Sequence, residues 1–324
     1  MLSLILTRLI SILSTLKTEN ILEVSNLTKY YGSSYTIGNK VIGKCNIGVD
    51  NISFNIKKGE IFGFLGPNGS GKTTTMRSIL NYLKIQNGHI NIFGVDHRVN
   101  ALSIRKNIGY LPGDLGLYDN FSGDELLRYS NSLRNSNKDF LNDLKSIFSV
   151  DLTKKIRGLS KGNKQQIGIL LSLASKPDFL ILDEPTSGLD PLIASNFTDL
   201  LRSLKKEGIT IFLSSHDLNE VQDICDRVAI IKNGKLILVE SVNTLQRKST
   251  QNVNVTFSRS SSINIDEIKN MKSVISVEQN RNNSFVIKIK GDSNGLINFL
   301  SKHRFQNLTI EDPSLEDIFL QYYQ

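Results

Sequence analysis

The sequence predicts an α/β protein with a mostly parallel sheet, followed by a small α+β domain. Short apolar runs such as FLILD and ITIFL are typical of buried parallel strands. These runs alternate with helical segments, as in a sheet covered on both faces. After residue 240 the order becomes βαββαβ, the split βαβ arrangement. We expect an N-terminal extension at 1–20, a main domain at 21–240 and a C-terminal domain at 241–324.

Length and composition are typical of a soluble globular protein. The chain has 324 residues, of which 39% are hydrophobic and 22% are charged. Its net charge of +8 is compatible with nucleic acid or an anionic membrane surface, although other lysine-rich proteins reach it as well. Cys45 and Cys225 lie far apart without metal-type spacing, which favours a reduced, cytosolic setting.

The most apolar stretch, residues 2–16, predicts an amphipathic helix. It contains Arg8 and is too short to span a bilayer, and it lacks the basic leader and cleavage site of a signal peptide. Two interpretations stay open. The helix lies on a membrane or a partner, or it packs on its own domain or is an extension from a misassigned start.

The first half of the main domain predicts strands around one helix. ILEVSNLTKYY, from residue 21, predicts a strand and then a turn, and residues 49–66 predict two strands around a turn. The glycine-rich run 32–48 between them predicts a loop insertion. KTTTMRSILNYL predicts a helix, and NGHINIFGVD predicts an Asn-Gly hairpin turn that leads into a strand.

The second half alternates helices with buried strands. Residues 119–176 are predicted to be mostly helical, and PDFLILDEP to form a buried strand. An amphipathic helix at 192–208 precedes a second buried strand, ITIFLSSH. VAIIKNGKLILV predicts a hairpin around Asn233-Gly234.

A glycine-rich motif predicts a phosphate site. GPNGSGKT, residues 66–73, matches G-x-x-x-x-G-K-[ST] between a predicted strand and a predicted helix, the context this motif requires. Its glycines let backbone amides point at phosphate oxygens, Lys72 can reach the β- and γ-phosphates, and the Thr73 hydroxyl can hold Mg²⁺. The predicted nucleotide contacts in this loop are Gly66, Pro67, Asn68, Gly69, Ser70, Gly71, Lys72, Thr73 and Thr74.

Two carboxylates end the strand FLILD. The carboxyl ends of parallel strands are where α/β sheets place their ligands. Asp183 is predicted to hold Mg²⁺ directly or through water, and Glu184 to accept a proton from the attacking water or to orient it. Buried adjacent carboxylates are costly unless a metal or charged ligand compensates, so a merely structural role is not expected.

LSKGN before KQQ, followed by LDEPTSGLD and SSHD, resembles the ATP-binding cassette family, whose signature is usually Leu-Ser-Gly-Gly-Gln. The resemblance covers residues 21–239 and implies a P-loop NTPase cassette with a helical subdomain. In that family two cassettes stack head to tail, and each signature helix points at the nucleotide of the other copy. Ser160 and Gly162 are therefore expected to donate to the partner's γ-phosphate.

The resemblance assigns further residues. Tyr31 matches the aromatic that stacks on adenine, with Tyr30 as the adjacent candidate, and a stacked ring leaves GTP binding open. Asp190 matches the loop that links the two sites. His216 matches the switch histidine at the γ-phosphate, which joins Lys72 and Glu184 as the predicted catalytic groups.

Three histidines match no motif of the family. They are predicted to lie on the surface: His89, His97 and His303.

Two departures from the family pattern stand out. Gly113, in IGYLPGD, replaces a glutamine that touches Mg²⁺ or the attacking water, so that Asp114, water or a partner residue would have to substitute. Lys161 and Asn163 replace the usual Gly and Gln of the signature, while the two positions that touch phosphate are kept.

The resemblance implies an ATPase subunit that uses ATP and Mg²⁺ to drive transport. Residues 241–324, with the closing PSLEDIFLQYY, resemble the tail of ATPase subunits in drug and multi-substrate exporters. The expected partners are a second copy or paired cassette and a separately encoded transmembrane permease, with no nucleic acid. The expected location is peripheral, on the cytoplasmic side of the cell membrane.

Two other classes compete with this interpretation. A soluble cassette ATPase acting on ribosomes or DNA fits the positive charge, but such proteins carry two cassettes or long coiled coils, and this sequence has neither. A P-loop kinase or GTPase needs no LSKGN, and no guanine-binding Asn-Lys-x-Asp is present.

Overall fold

The computed structural model of the protein describes residues 19–32, 35–37, 40–42, 45–134, 138–248, 251–258, 265–280, 283–291 and 293–311. The amphipathic stretch predicted at 2–16 and the closing segment PSLEDIFLQYY lie outside these residues. The chain divides into two compact units, Met1–Val239 and Glu240–Gln324. Within the described residues, no helix combines the length and the apolar composition needed to cross a membrane.

The strands, in chain order, are β1 (Asn20–Tyr31), β2 (Tyr35–Ile37), β3 (Lys40–Ile42), β4 (Asn46–Lys57), β5 (Ile61–Leu65), β6 (Asn87–Ile92), β7 (Val95–Asp96), β8 (Ile108–Leu111), β9 (Phe179–Asp183), β10 (Thr210–Ser215), β11 (Arg227–Lys232), β12 (Lys235–Ser241), β13 (Gln251–Phe257), β14 (Val274–Gln279), β15 (Ser284–Ile289) and β16 (Phe305–Glu311).

The described helices are α1 (Lys72–Ile79), α2 (Ala101–Lys106), α3 (Gly123–Leu133), α4 (Lys138–Ile147), α5 (Lys161–Leu173), α6 (Pro191–Lys206), α7 (Leu218–Ile224), α8 (Val242–Lys248), α9 (Ile265–Lys269) and α10 (Asn294–Leu300). A short 3₁₀ helix, Ile156–Gly158, precedes α5.

The central sheet has the order β12-β11-β5-β10-β9-β8. Strand β5 pairs in parallel with β10 and β11, and β9 pairs in parallel with β10 and β8. Every residue of β5, β9 and β10 is buried, as expected for apolar strands covered on both faces. Since these three strands are parallel neighbours, their carboxyl ends meet at one edge, and the fold predicted from the sequence is confirmed.

A second sheet, β4-β1-β6-β7, is antiparallel and shares a core with the central sheet. Phe54 of β4 lies between the two sheets, with its ring centre 5.7 Å from that of Phe62 and 5.9 Å from that of Phe212. This apolar contact holds β4, which borders the glycine-rich loop, against the strands that carry the carboxylates.

The helical part between β8 and β9 has its own small core, formed by Leu126, Ile156 and Ile167. Ser122 and Glu125 form a capping box at the start of α3, each satisfying a backbone amide of the other. This core positions the start of α5, the helix that carries LSKGN.

The second unit contains an antiparallel sheet with the order β14-β15-β13-β16. Its apolar core includes Val253, Val255, Ile287 and Leu296 from strands and helix. The predicted βαββαβ order is observed through β16, which confirms a small α+β fold.

Three local predictions were wrong. Strand β1 continues to Tyr31 without a turn, since its end pairs with β4. The run 32–48 contains the paired strands β2 and β3 and the start of β4. Asn87-Gly88 is the start of β6, paired with β1, and the hairpin turn lies at Phe93-Gly94, both with positive φ. In contrast, the hairpin predicted at Asn233-Gly234 is confirmed.

Candidate active site

The glycine-rich loop connects β5 to α1 in a conformation that requires glycine. Gly69 and Gly71 have φ of +79° and +112°, in the left-handed region. A Cβ at Gly71 would also lie 2.6 Å from the carbonyl oxygen of Gly48. The backbone can therefore curl at the start of α1 only with these residues, and the first amides of that helix are available to an anion.

A pocket of about 300 Å³ opens at this loop. Most of the predicted loop residues line the pocket, together with Tyr31, which is predicted to stack on adenine, with Glu184, the predicted general base, and with two residues of β4. Its lining residues are Tyr31, Ile47, Gly48, Pro67, Asn68, Gly69, Gly71, Lys72, Thr73, Thr74 and Glu184. This volume lies at the lower end of the range for small-molecule sites.

Lys72 is the cation of the pocket. Its ammonium group donates to the carbonyl oxygens of Gly66 at 2.6 Å and Pro67 at 3.3 Å, and it lies 3.1 Å from Glu184 Oε1. The side chain is almost fully buried. A buried ammonium held at the start of a helix is suited to bind phosphate oxygens.

Thr73 and Asp183 meet at the floor of the site. The Thr73 hydroxyl donates to Asp183 Oδ2 at 2.6 Å, and Asp183 is completely buried. A hydroxyl and a carboxylate oxygen are hard ligands, and Mg²⁺ is commonly bound by one or two such groups together with substrate phosphates and water. The donor set that the structure brings together therefore fits Mg²⁺.

Glu184 is joined to His216 at the end of β10. His216 Nδ1 lies 2.5 Å from Glu184 Oε2. Glu184 has a φ of +52°, which is uncommon outside glycine and is typical of functional sites. The amide of Gln165, on α5, donates to the carbonyl oxygens of Glu184 and Pro185 and supports this turn.

Gly113 packs directly beside Asp183. A Cβ at Gly113 would lie 3.3 Å from both Cγ and Oδ2 of Asp183. The chain thus presents backbone to the carboxylate on this side, where the family pattern has a glutamine. Asp114 follows in an exposed position and is not among the residues that line the pocket.

Tyr31, rather than Tyr30, faces the pocket. Its hydroxyl lies 3.1 Å from the hydroxyl of Thr74, whereas the Tyr30 hydroxyl donates to Asp50 at 3.2 Å. A Cβ at Gly48 would lie 2.8 Å from the Tyr31 ring, so glycine is needed beneath it. Sequence reasoning missed Gly48 and the exposed Ile47, because the run 32–48 is predicted to be a loop. The available signal for their place in the pocket was an apolar residue beside a glycine, next to a predicted strand.

Three predicted nucleotide contacts lie outside the pocket of their own chain: Ser160, Gly162 and Asp190. Ser160 caps α5 by accepting from the amide of Asn163 at 3.2 Å, and Asp190 caps α6 by accepting from that of Ile193 at 3.0 Å. Neither these two residues nor Gly162 lines the pocket around Lys72.

The start of α5 packs closely on the loop that follows Glu184. A Cβ at Gly162 would lie 2.4 Å from the carbonyl oxygen of Gly188. Lys161 lays its aliphatic stem near Gly188 and donates to the Ser187 hydroxyl at 3.2 Å. The start of α5 and this loop are therefore in close contact.

His97 corrects the prediction for the three histidines without a motif. His97 is buried, with Nδ1 3.2 Å from the carbonyl oxygen of Ile90, and burial lowers its pKa. Sequence reasoning missed this burial because His97 follows a short edge strand, β7. His89 is exposed, as predicted, and His303 is half-buried.

Glu220, which sequence reasoning also missed, connects the loops after β9 and β10. Its Oε2 accepts from the hydroxyls of Ser215 at 2.8 Å and Thr186 at 3.2 Å. Burial raises the pKa of Glu220, the two hydroxyl contacts oppose the rise, and the charges of Asp217 and Glu184 add to it.

The raised pKa predicts a pH-dependent effect of Glu220→Gln on stability. The folded state holds its proton more tightly than the unfolded state, so the parent chain loses stability as pH rises from the ordinary pKa of 4.5 to the higher folded value. Glutamine does not titrate. The unfolding free energy of Glu220→Gln, relative to the parent, is therefore expected to increase over this window in denaturant titrations from pH 4.5 to 8. Glu207→Gln, at an exposed ion pair with Lys176, is the control; a relative stability of Glu220→Gln that does not change with pH would contradict the expectation.

Family models match both parts of the chain. The model described as ABC transporter matches residues 49–187. The model described as ATP-binding protein DrrA1-3-like, C-terminal domain, matches residues 241–323. A third, described as an AAA domain and a putative AbiEii toxin of a type IV TA system, matches residues 155–222, inside the main domain.

Similar solved structures are also ATP-binding cassettes. An ATP-binding subunit of an ABC transporter superposes with a TM-score of 0.60 at 25% identity, over 70% of this chain and 92% of that one. CbiO1 of Clostridium perfringens, part of the ABC transporter complex cbiONQ, gives 0.55 at 28% identity, over 70% and 91%. A cassette solved as a dimer with ADP and Pi gives 0.59 at 24% identity over 68% and 98%, which shows the fold alone.

Curated relatives agree with the fold and the motifs. The chain is 40% identical over 221 residues to the bacitracin transport ATP-binding protein BcrA of Bacillus licheniformis, covering 67% of this chain and 68% of BcrA. It is 37% identical over 235 residues to an ABC transporter ATP-binding protein of Methanocaldococcus jannaschii, covering 70% and 80%. The chain therefore belongs to the ABC transporter family, as an ATP-binding subunit that hydrolyses ATP.

Proposed function

We propose that two copies of this chain bind two ATP molecules between them, head to tail, and separate after hydrolysis. The observation that carries the proposal is that Ser160, Gly162 and Asp190 lie outside the pocket formed by their own chain. A second copy in the opposite orientation would bring these residues to the γ-phosphate. A cassette of the same fold was solved as a dimer with ADP and Pi, and we propose the same kind of assembly for this chain.

Within each pocket, the chain's own residues position the reactants. Lys72 binds the β- and γ-phosphates, Tyr31 stacks on the base, and Thr73 with Asp183 holds Mg²⁺. When bound, Mg²⁺ neutralises phosphate charge. Phosphoryl transfer needs mainly positioning and charge neutralisation, which these groups supply.

Glu184 and His216 act on the attacking water and the γ-phosphate. Glu184 accepts a proton from the water or orients it while the water oxygen attacks phosphorus and the bond to ADP breaks. Since His216 Nδ1 contacts Glu184, Nε2 is the ring nitrogen left to contact the γ-phosphate, and it donates there when both ring nitrogens carry a proton. The partner's Ser160 and Gly162 donate to the same phosphate from the positive end of α5.

The transport partner is a separately encoded transmembrane permease, and export is the proposed direction. The match of residues 241–323 to the DrrA1-3-like C-terminal domain and the similarity to a bacitracin transport protein support this. Binding to such a permease would place the chain at the cytoplasmic face of the membrane.

The proposal that two copies of the chain build each site is tested by the rate of ATP hydrolysis at different protein concentrations. If two copies build each site, the rate per chain should rise with concentration where light scattering shows a single copy of 36.2 kDa, and it should level off where the mass doubles. A constant rate per chain throughout the single-copy range would contradict it. Stimulation by DNA or ribosomes, with no response to a permease, would favour the soluble cassette class instead.

A further inference from the structure

Ser214 is a buried polar residue in the centre of the fold. It lies near the end of β10, is completely buried, and pairs in register with Asp183 of β9. Placing a hydroxyl in an apolar strand is unfavourable unless the hydroxyl is hydrogen-bonded. Its partners therefore indicate why a serine occupies this position.

Both side-chain contacts of Ser214 are made with the carboxylate pair. Its hydroxyl donates to Asp183 Oδ1 at 2.5 Å and accepts from the backbone amide of Glu184 at 3.1 Å. The carbonyl oxygen of Ser214 accepts from the same amide at 3.2 Å. One hydroxyl thus connects the side chain of one site residue to the backbone of the next.

The two oxygens of Asp183 are divided between two hydroxyls. Ser214 contacts Oδ1, and Thr73 contacts Oδ2 at 2.6 Å. The terminal torsion of an aspartate is broad, so these contacts select the orientation of the carboxylate plane. Gly113 contributes no side chain on this side, although its backbone is close. Ser214 therefore turns Oδ2 towards Thr73 and the phosphate pocket.

The second contact acts on the turn at Glu184. This residue has a left-handed φ of +52°, which costs free energy and must be held by its surroundings. From that turn its carboxylate reaches Lys72 at 3.1 Å and His216 at 2.5 Å. The Ser214 hydroxyl is one of the groups that hold the amide in place.

We propose that Ser214 is a positioning residue for ATP hydrolysis, which aims Asp183 at Mg²⁺ and fixes the backbone turn that presents Glu184. The proposal rests on the assignment of Mg²⁺ to Thr73 and Asp183. Residues that hydrogen-bond to a metal ligand orient it, and their loss typically lowers metal affinity about 10- to 100-fold.

The test compares the affinity for a non-hydrolysable ATP analogue in Mg²⁺ and in EDTA, using the full chain. Ser214→Ala is expected to reduce the gain in affinity due to Mg²⁺ by about tenfold, with the affinity in EDTA changed by less than about twofold. Mn²⁺ binding in the presence of the analogue, followed by electron paramagnetic resonance, should weaken in parallel. Ser214→Thr keeps the hydroxyl and should retain most of the gain.

Ser172→Ala is the matched control, because Ser172 is also buried and its hydroxyl donates to the carbonyl oxygen of Ile169 at 2.8 Å, away from the carboxylates. If Ser214→Ala keeps the full Mg²⁺ gain, or loses affinity equally in EDTA, Ser214 does not position the metal ligand. If the parent chain itself shows no Mg²⁺ gain, the metal assignment fails and the proposal fails with it. The first outcome leaves the proposed Mg²⁺ site intact, so the two failures are distinguishable.

Discussion

Glu184→Gln is expected to slow ATP hydrolysis by about 10²- to 10⁴-fold while ATP binding is retained. The amide has nearly the shape of the carboxylate but cannot accept a proton from water. The glycine-rich loop, Lys72 and Thr73 are unchanged and still bind the phosphates. Single-turnover phosphate release measures the rate, and light scattering in ATP should find a persistent pair with twice the mass of 36.2 kDa.

Glu207→Gln is the control for this variant, since its carboxylate forms an exposed ion pair with Lys176 at 2.7 Å, and it should hydrolyse ATP at the parent rate. Hydrolysis by Glu184→Gln at the parent rate would show that another group acts on the water. A single copy in saturating ATP would contradict the trapped pair.

Gly162→Ala is expected to lower hydrolysis by about tenfold or more, although alanine is the better helix former by about 1 kcal/mol. The new Cβ would lie 2.4 Å from the carbonyl oxygen of Gly188, so the start of α5 must shift away from the loop after Glu184. Gly162 does not line the chain's own nucleotide pocket. ATP affinity of the single copy should therefore be unchanged, while ATP-driven pairing weakens.

Gly158→Ala, in the short 3₁₀ helix that precedes α5, is the matched control. A Cβ at Gly158 would meet no atom within 4 Å, and this variant should pair and hydrolyse as the parent does. Analytical ultracentrifugation with ATP, combined with nucleotide titrations, separates pairing from binding. If the two alanine variants pair and hydrolyse ATP equally, the contact between Gly162 and Gly188 is not required for pairing or for hydrolysis.

The central sheet could be predicted because burial and sequence agree there. Residues 179–182 and 211–213 are continuously apolar, and both lie in fully buried strands. The errors occurred where tertiary pairing outweighs local preference. Asn87-Gly88 has turn chemistry, but backbone pairing with Thr28 and its neighbours makes it the start of a strand. Strands β2 and β3 pair with each other and have three residues each, too few for a periodic pattern to be recognised.

Sequence motifs predicted the site residues that lie close together in the chain, and they missed residues that neighbouring strands contribute to the site. Lys72 and Thr73 follow from the spacing of one loop, and the structure places both at the pocket. Ser214 contacts Asp183 across two strands 31 positions apart in the chain, and no local spacing reports this contact. The available signal was a pair of serines that ends an otherwise apolar strand.

The central claim is that each hydrolytic site is built from two chains, and complementation tests it most directly. A Lys72→Ala chain cannot bind phosphate well, and a Ser160→Arg chain cannot approach the partner's nucleotide; each alone is expected to be inactive. Mixed in equal amounts, they should form pairs in which one pocket has both an intact Lys72 and an intact Ser160. We predict that hydrolysis returns on mixing, and a mixture as inactive as its components would contradict the account.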